Sequence, residues 1–407
     1  MNKLHTSPFN IAVIASGLGF FIDAFDLFLF TVYRRPSLLD LQVPAFDIQH
    51  TGEHLLAIQM LGMMIGGVLS GVLGDKFGRV SVLFGSIILY SFSNIANAFV
   101  TDIDTYAVIR FLAGAGLAGE LGAGITLVSE SMTIEKRGYG TILVATLGAL
   151  GAVSAGLISD FIPWRYAFFG AGIIGLALLL LRMKSMETGM FHKSKSDFSI
   201  KRGSLLLLFN NRNRLYKYIA CILMGVPIWY SVGLLITLSP EIASLQHING
   251  LKLSYCFTLF QVGITVGDLS SGMLSQYFKT RKYVILSYMG LAIVSTVIHY
   301  YFIFESTEFY STSLFMGLGC GYLSVFVTST AEHFGINLRV LVTATVTNFM
   351  RGAVTLLIPF HIWLEHTFNI TVIFSLLITG IIVWSSAILS TLLLPETYGK
   401  NLDYIET

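Results

Sequence analysis

Charge is scarce in this 407-residue chain: Asp, Glu, Lys and Arg together make up 12% of it, against 54% apolar residues and a mean hydropathy of +0.74. Soluble domains carry roughly a quarter of their residues charged, so this balance marks an integral membrane protein. Neither sign dominates. The 25 basic and 23 acidic residues leave a net charge of +2, and the basic ones are spread over alternate loops, which gives nucleic acid no patch to bind. The three cysteines, Cys221, Cys256 and Cys320, all lie inside apolar runs. That placement offers neither a disulfide framework nor metal-ligand spacing, and they read as small buried residues. The glycine-rich run from Gly114 to Gly124 lacks the Gly-Lys-Ser/Thr ending of a phosphate loop, so close helix packing explains it. No nucleophile, metal or nucleotide constellation is present, which argues against an enzyme, an ATP-driven pump or any cofactor beyond a proton gradient. The first apolar run has no small-residue cleavage site after it and continues through Asp23 and Asp26, so it reads as a retained span.

What the chain does have is apolar runs near the ~20 residues that cross a bilayer as helix. Twelve are recognisable, at about 10–32, 55–74, 80–100, 106–130, 139–161, 166–183, 218–238, 255–277, 283–304, 309–329, 340–363 and 370–394. Assigning the loops alternately places nineteen Lys and Arg on one side, four on the other and two, Arg110 and Arg351, within spans. That asymmetry puts the basic loops and both termini in the cytoplasm of a cell whose inner membrane holds the protein. The segment 184–217 is the longest basic loop and reads as an interfacial linker. It divides the chain into six-helix halves, 1–183 and 218–407, expected to work as a monomer.

The halves repeat. Ser70-Gly71 is echoed by Ser271-Gly272, and Glu130 with Arg137 by Glu332 with Arg339, at offsets of 201 and 202. The half ends also correspond, Met186-Glu187-Thr188-Gly189 against Pro395-Glu396-Thr397-Tyr398-Gly399. Between spans two and three lies the loop Gly71-Val72-Leu73-Gly74-Asp75-Lys76-Phe77-Gly78-Arg79. Its order, Gly-x-x-x-Asp-Lys-x-Gly-Arg, resembles the signature loop of the major facilitator superfamily, with Val80 where a further basic residue is common. Glu-x6-Arg after spans four and ten, and Pro-Glu-Thr-x-Gly after span twelve, look like the sugar-porter and phosphate:proton symporter branches. Two positions depart from the pattern: Gln276 replaces the second-half loop aspartate and Met186 the usual proline. The resemblance implies an all-α fold of twelve transmembrane helices in two pseudo-symmetric bundles, with a solute site at their interface near the midplane. It also implies a cytoplasmic latch built from Gly71, Asp75, Lys76, Gly78, Arg79, Glu130, Arg137, Glu187, Glu332, Arg339 and Glu396, with Asp75 meeting the N-terminus of span eleven.

Ionisable groups inside spans cost several kcal/mol and are functional candidates. Asp23 and Asp26 lie at i, i+3 and share a face of span one. Arg110 opens span four and Glu120 follows ten residues on, after Gly119. The stretch Asp23-Ala24-Phe25-Asp26 and this Arg-x9-acid spacing resemble the phosphate:proton symporters, which implies that Asp23, Asp26 and Glu120 are proton sites and Arg110 their switching partner. A static Asp26–Arg110 pair is the plainer alternative. In the second half, Arg351 on span eleven is the expected solute-binding cation, because guanidinium takes carboxylate or phosphate oxygens two at a time. Asn348 sits one turn earlier, and Asp268 on span eight is its alternative partner. Pro227 on span seven is expected to break the helix and aim Trp229 and Tyr230 into a cavity, although packing aromatics are the commoner case. His299 and His361 read as interfacial.

Span five, Gly148 to Gly156, lacks the glycine-proline signature that characterises drug antiporters, which tilts the expectation toward a symporter or uniporter. The chain therefore reads as a carrier that couples a small anionic solute, phosphate or carboxylate, to protons. An amino-acid or carboxylate-siderophore carrier is the alternative within transport. A non-transporting solute sensor on the same fold is the alternative outside it. The expected partners are the solute, protons and the lipid bilayer.

Overall fold

A computed structural model describes residues 11–77, 79–119, 137–186, 208–248, 250–301, 305–335 and 338–400. Gly78, Glu120, Glu130 and Glu187 lie outside the described residues, and for Asp75, Lys76, Arg79 and Arg137 the description stops at the backbone. Among the described residues the protein is helical, with no strand. The helices are α1 (Ile11–Asp40), α2 (Ile48–Phe77), α3 (Arg79–Asn97), α4 (Ile103–Leu117), α5 (Arg137–Ile158), α6 (Trp164–Met186), α7 (Arg212–Tyr230), α8 (Ser239–Leu245), α9 (Leu253–Tyr277), α10 (Lys282–Tyr301), α11 (Ser306–Cys320), α12 (Leu323–His333), α13 (Arg339–Gly352), α14 (Val354–Phe368) and α15 (Val372–Leu393). Helix occupies all or part of each of the twelve apolar intervals. Among the described residues, seven helical stretches are by length and composition apolar enough to cross a membrane, from Ser16–Asp40 to Val372–Leu393.

Several spans change course where their sequence requires it. Pro227 does not break α7. The helix runs through it to Tyr230 and then loosens into a π-helical stretch, Ser231–Ile236. Span ten is interrupted at Gly321-Tyr322, between α11 and α12, and span eleven at Ala353, between α13 and α14. The first break allows close approach: a β-carbon on Gly321 would lie 2.5 Å from the Gly267 Cα of α9. On the surface, α4 starts at Asp102, whose carboxylate accepts from the Thr105 N–H at 2.8 Å. This hydrogen bond holds the Asp102 carboxyl below the usual carboxylate range.

Two seams join the N- and C-terminal halves. Helices α5 and α9 pack along their length, from Ile142 against Gly272 at the end bearing the basic loops to Gly156 against Thr258 at the other. Helix α2 packs on α13 and α14, with Gly71 facing Leu341 at the basic end and Gly352 facing Met64 further along. The halves thus touch at both ends of the bundle and leave a space between them at mid-height.

Candidate functional site

That space is a cavity of about 50 Å³, room for a few water molecules, walled by Phe20, Ala24 and Phe28 of α1, Ala145 to Ala152 of α5, Trp229 of α7, Gln261 and Asp268 of α9, and Arg351. Its walls are apolar except for Gln261, Asp268 and Arg351. Arg351 lies in the last turn of α13, where the unpaired carbonyls of a broken helix favour a cation. Its guanidinium sits 5.5 Å from the Trp229 ring centre. Trp229 in turn stacks on Phe28 of the other half, ring centroids 5.7 Å apart and 6° from parallel. Asp268 has the complementary address. Its Oδ1 accepts from the Ser324 N–H at 3.1 Å, in the first turn of α12, where unpaired N–H groups favour an anion. Both charges line the cavity, but among the described residues no ion pair joins them.

Two expected solute contacts face elsewhere. Asn348 does not line the cavity. Its amide donates at 2.8 Å to the Ala118 carbonyl beyond the end of α4 and at 2.8 Å to Ala344 on its own helix, so it bridges the halves below the cavity. Tyr230 donates at 2.7 Å to the Leu376 carbonyl of α15 and anchors α7 outward, because one residue step turns it about 100° from Trp229.

Asp23 and Asp26 are both buried, yet they do not serve one partner as expected. Asp26 faces Asn94 of α3 and Arg110 of α4, whereas Asp23 is the acid that acts on Arg351. The i, i+3 offset is enough to turn two short side chains toward different helices. Arg110 donates to Asn94 Oδ1 at 3.2 Å and is caged by the rings of Phe168, Phe30 and Tyr106, at 4.7, 5.6 and 5.9 Å. Asn94 does not stand out in the sequence, since an uncharged amide in an apolar span has no pattern to betray its partner.

At the basic end the second-half cluster is centred on Arg281. Its guanidinium pairs with Glu332 at 3.4 Å, donates to Ser275 Oγ at 2.8 Å and lies over the Tyr398 ring. Arg339 donates to the Ala331 and Phe334 carbonyls at the end of α12. Glu396 accepts from the N–H groups of Arg281 and Lys282 at 3.0 and 3.2 Å and so caps α10. Burial alone would raise the Glu396 carboxyl, but the Thr280 hydroxyl and the N–H groups of Arg281, Tyr398 and Thr397 outweigh it and hold it below the usual range. All of this cluster belongs to the C-terminal half, so it stiffens that half instead of bridging the two. Arg281 could have been found, because it stands 201 residues after Val80, the position noted above as commonly basic.

At the opposite end polar contacts cross between the halves among the described residues, and none was foreseen. Arg34 of α1 pairs with Glu241 of α8 at 2.9 Å and donates to the Thr237 carbonyl at 3.0 Å. Asp160 accepts from Ser254 Oγ at 3.1 Å. Glu53 of α2 faces His361 of α14. His299 and His361 are wholly buried instead of interfacial; His299 is held by Thr312, Nδ1···Oγ1 2.9 Å.

The sequence matches the family model of the Major Facilitator Superfamily over residues 16–359. The chain belongs to that superfamily. That superfamily is one of transporters, not of enzymes. The structure of the proton:xylose symporter XylE, bound to 6-bromo-6-deoxy-D-glucose, shares its fold, with a TM-score of 0.70 over 96% of this chain and 97% of that one at 17% identity. The niacin transporter NiaP of Acinetobacter baylyi is 30% identical over 176 residues, 42% of this chain and 39% of that protein. The 4-hydroxybenzoate transporter PcaK of Pseudomonas putida is 33% identical over 136 residues, 32% of this chain and 30% of that protein. The matches to NiaP and PcaK span less than half the length of each of those proteins.

Proposed function

We propose that this superfamily member carries a small organic carboxylate with a flat ring into the cell, together with protons, by alternating access of one central site. The observation that carries the reading is Arg351: one guanidinium in an apolar cavity, lying beside Trp229, which is stacked on Phe28. A carboxylate satisfies the planar fork of Arg351, while a ring takes up the apolar and aromatic walls. Phosphate would leave most of its oxygens against apolar wall, at a cost of several kcal/mol, so of the two anions expected from the sequence the carboxylate is favoured. Niacin and 4-hydroxybenzoate, the solutes in the relatives' names, are both ring carboxylates.

In this reading Asp26 is the proton carrier, with Asn94 and Arg110 as its setting, and Asp23 is the internal counter-ion that Arg351 leaves when a carboxylate arrives. Glu120 remains a further proton-site candidate. The basic loops face the cytoplasm of an inner-membrane protein, and residues 1–183 and 218–407 move as units joined by the linker 184–217. Counterflow in proteoliposomes tests it: vesicles preloaded with unlabelled niacin or 4-hydroxybenzoate should accumulate the labelled compound transiently, and phosphate, xylose and amino acids should not compete. Competition by phosphate alone would refute the ring-carboxylate assignment. No counterflow with any panel solute would favour a sensor.

A further inference from the structure

The imidazole of His361 is held between two carboxylates from different halves of the protein. Its Nδ1 lies 3.0 Å from Glu365 Oε1, one turn along α14, and its Nε2 lies 3.8 Å from Glu53 Oε1 on α2. His361 and Glu53 are 0% and 2% exposed. Glu365 Oε1 also accepts from Ser375 Oγ of α15 at 2.9 Å, and Glu53 Oε1 accepts from Gln49 Nε2 at 3.1 Å. The other charged groups acting here are His50 on both carboxylates and Arg34 on Glu53, Arg34 being itself paired with Glu241.

The proton count follows from donors and acceptors. An ionised carboxylate only accepts, so the contact with Glu365 puts the hydrogen on Nδ1. A neutral imidazole has a single N–H; its Nε2 would then point a lone pair at the Glu53 carboxylate, acceptor against acceptor, between two buried groups. One more proton removes the conflict, as an imidazolium or as a Glu53 hydroxyl aimed at Nε2. The closed end of the bundle therefore holds a proton that the separated groups have no reason to keep.

We propose that Glu53 and His361 form a proton-binding site in the outer gate, filled as the outer face closes and emptied to the outside as it opens. This rests on the alternating-access reading and its orientation, but not on which solute is carried. Opening outward moves α2 away from α14 and wets both groups, and in water an imidazole and a carboxylate release their protons above about pH 6.5 and 4.3. Closing then takes up one proton, and by linkage acid outside favours the closed face. The proton returns to the side it came from, so the site times closure and leaves uphill coupling to the acids beside the cavity.

The test is a distance across the outer face. Spin labels at Leu39→Cys and Leu245→Cys, exposed positions on α1 and α8, are introduced with Cys221, Cys256 and Cys320 replaced by alanine. Between pH 5.5 and 8 the open:closed ratio of the parent should rise by up to tenfold per pH unit, the limit for one proton. Glu53→Gln, isosteric and able to donate an amide N–H to Nε2, should stay closed over the whole range. His50→Gln and Glu241→Gln should change the level of opening while keeping its pH dependence. The same pH dependence in Glu53→Gln as in the parent would overturn the proposal. So would a parent distance indifferent to pH, and if an added solute still moved that distance, alternating access would stand without this site.

Discussion

Arg34 Nη2 lies 2.9 Å from Glu241 Oε1, and this pair ties the first helix of the N-terminal half to the short helix α8 of the C-terminal half. The arginine is almost fully buried and also meets the Thr237 carbonyl. Arg34→Gln leaves Glu241 without its charge partner, a loss of about 1–3 kcal/mol for a hydrogen bond to a charged group. The outer face should therefore open more often, and a thiol reagent should label a cysteine placed at Phe28 several-fold faster than in the parent. Equal labelling rates would mean that the pair does not hold the gate.

Glu396 gives a stability prediction with a definite sign. Its carboxyl is held below the usual range when folded, so its contribution is present above the unfolded carboxylate value of about 4.3 and is lost as pH falls through the lower folded value. Glu396→Gln should melt lower than the parent at pH 6–8, by the ~0.5–2 kcal/mol of a helix cap. As pH falls below about 4.3 the gap between the two melting curves should shrink. A gap of constant size down to pH 3 would show that capping by the charged form is not the cause.

Asp75 closes α2 at the basic end, and Gly71, one turn earlier, faces Leu341 in the first turn of α13. The helix ends are thus neighbours, as a latch between Asp75 and the N-terminus of α13 requires. Asp75→Asn should weaken it by ~0.3–2 kcal/mol and raise inward opening, read as faster labelling of a cavity cysteine from the basic side. Unchanged labelling would remove the latch from the account.

Asp268 and Arg351 should behave as independent sites. Asp268 is occupied by the Ser324 N–H, and asparagine can accept the same bond, so Asp268→Asn should cost little transport. Arg351→Lys keeps a charge but loses the fork, and should raise the half-saturating solute concentration tenfold or more. Recovery of transport in Arg351→Gln with Asp268→Asn, where each single change lost it, would instead reveal a pair that forms during the cycle.

How much of this could be read from the sequence differs by residue. The family, the helical intervals and Arg351 in the cavity wall were legible, because apolar length, repeated loop motifs and a cation inside an apolar run leave marks in one dimension. Asn348 and Tyr230 were misplaced for a common reason: helical spacing fixes which residues share a face, but not which neighbour that face meets. Glu53 and Arg34 went unread, and His361 read as interfacial, because they lie beyond or near the ends of the apolar runs, where polar residues are ordinary. Their burial comes from the packing of one half on the other. Asp23 and Asp26 show the finest limit, two acids three residues apart whose partners lie on different helices, Arg351 for one and Asn94 with Arg110 for the other.

The central claim is that solute and proton move together through a site holding Arg351, with Asp26 carrying the proton. It is tested most directly in voltage-clamped proteoliposomes with a trapped pH dye, into which niacin or 4-hydroxybenzoate is admitted. The account predicts that internal acidification accompanies entry beyond the leak of protein-free vesicles, and that Asp26→Asn abolishes this acidification while solute exchange persists. Solute entry without proton movement in the parent, or undiminished acidification in Asp26→Asn, would contradict it.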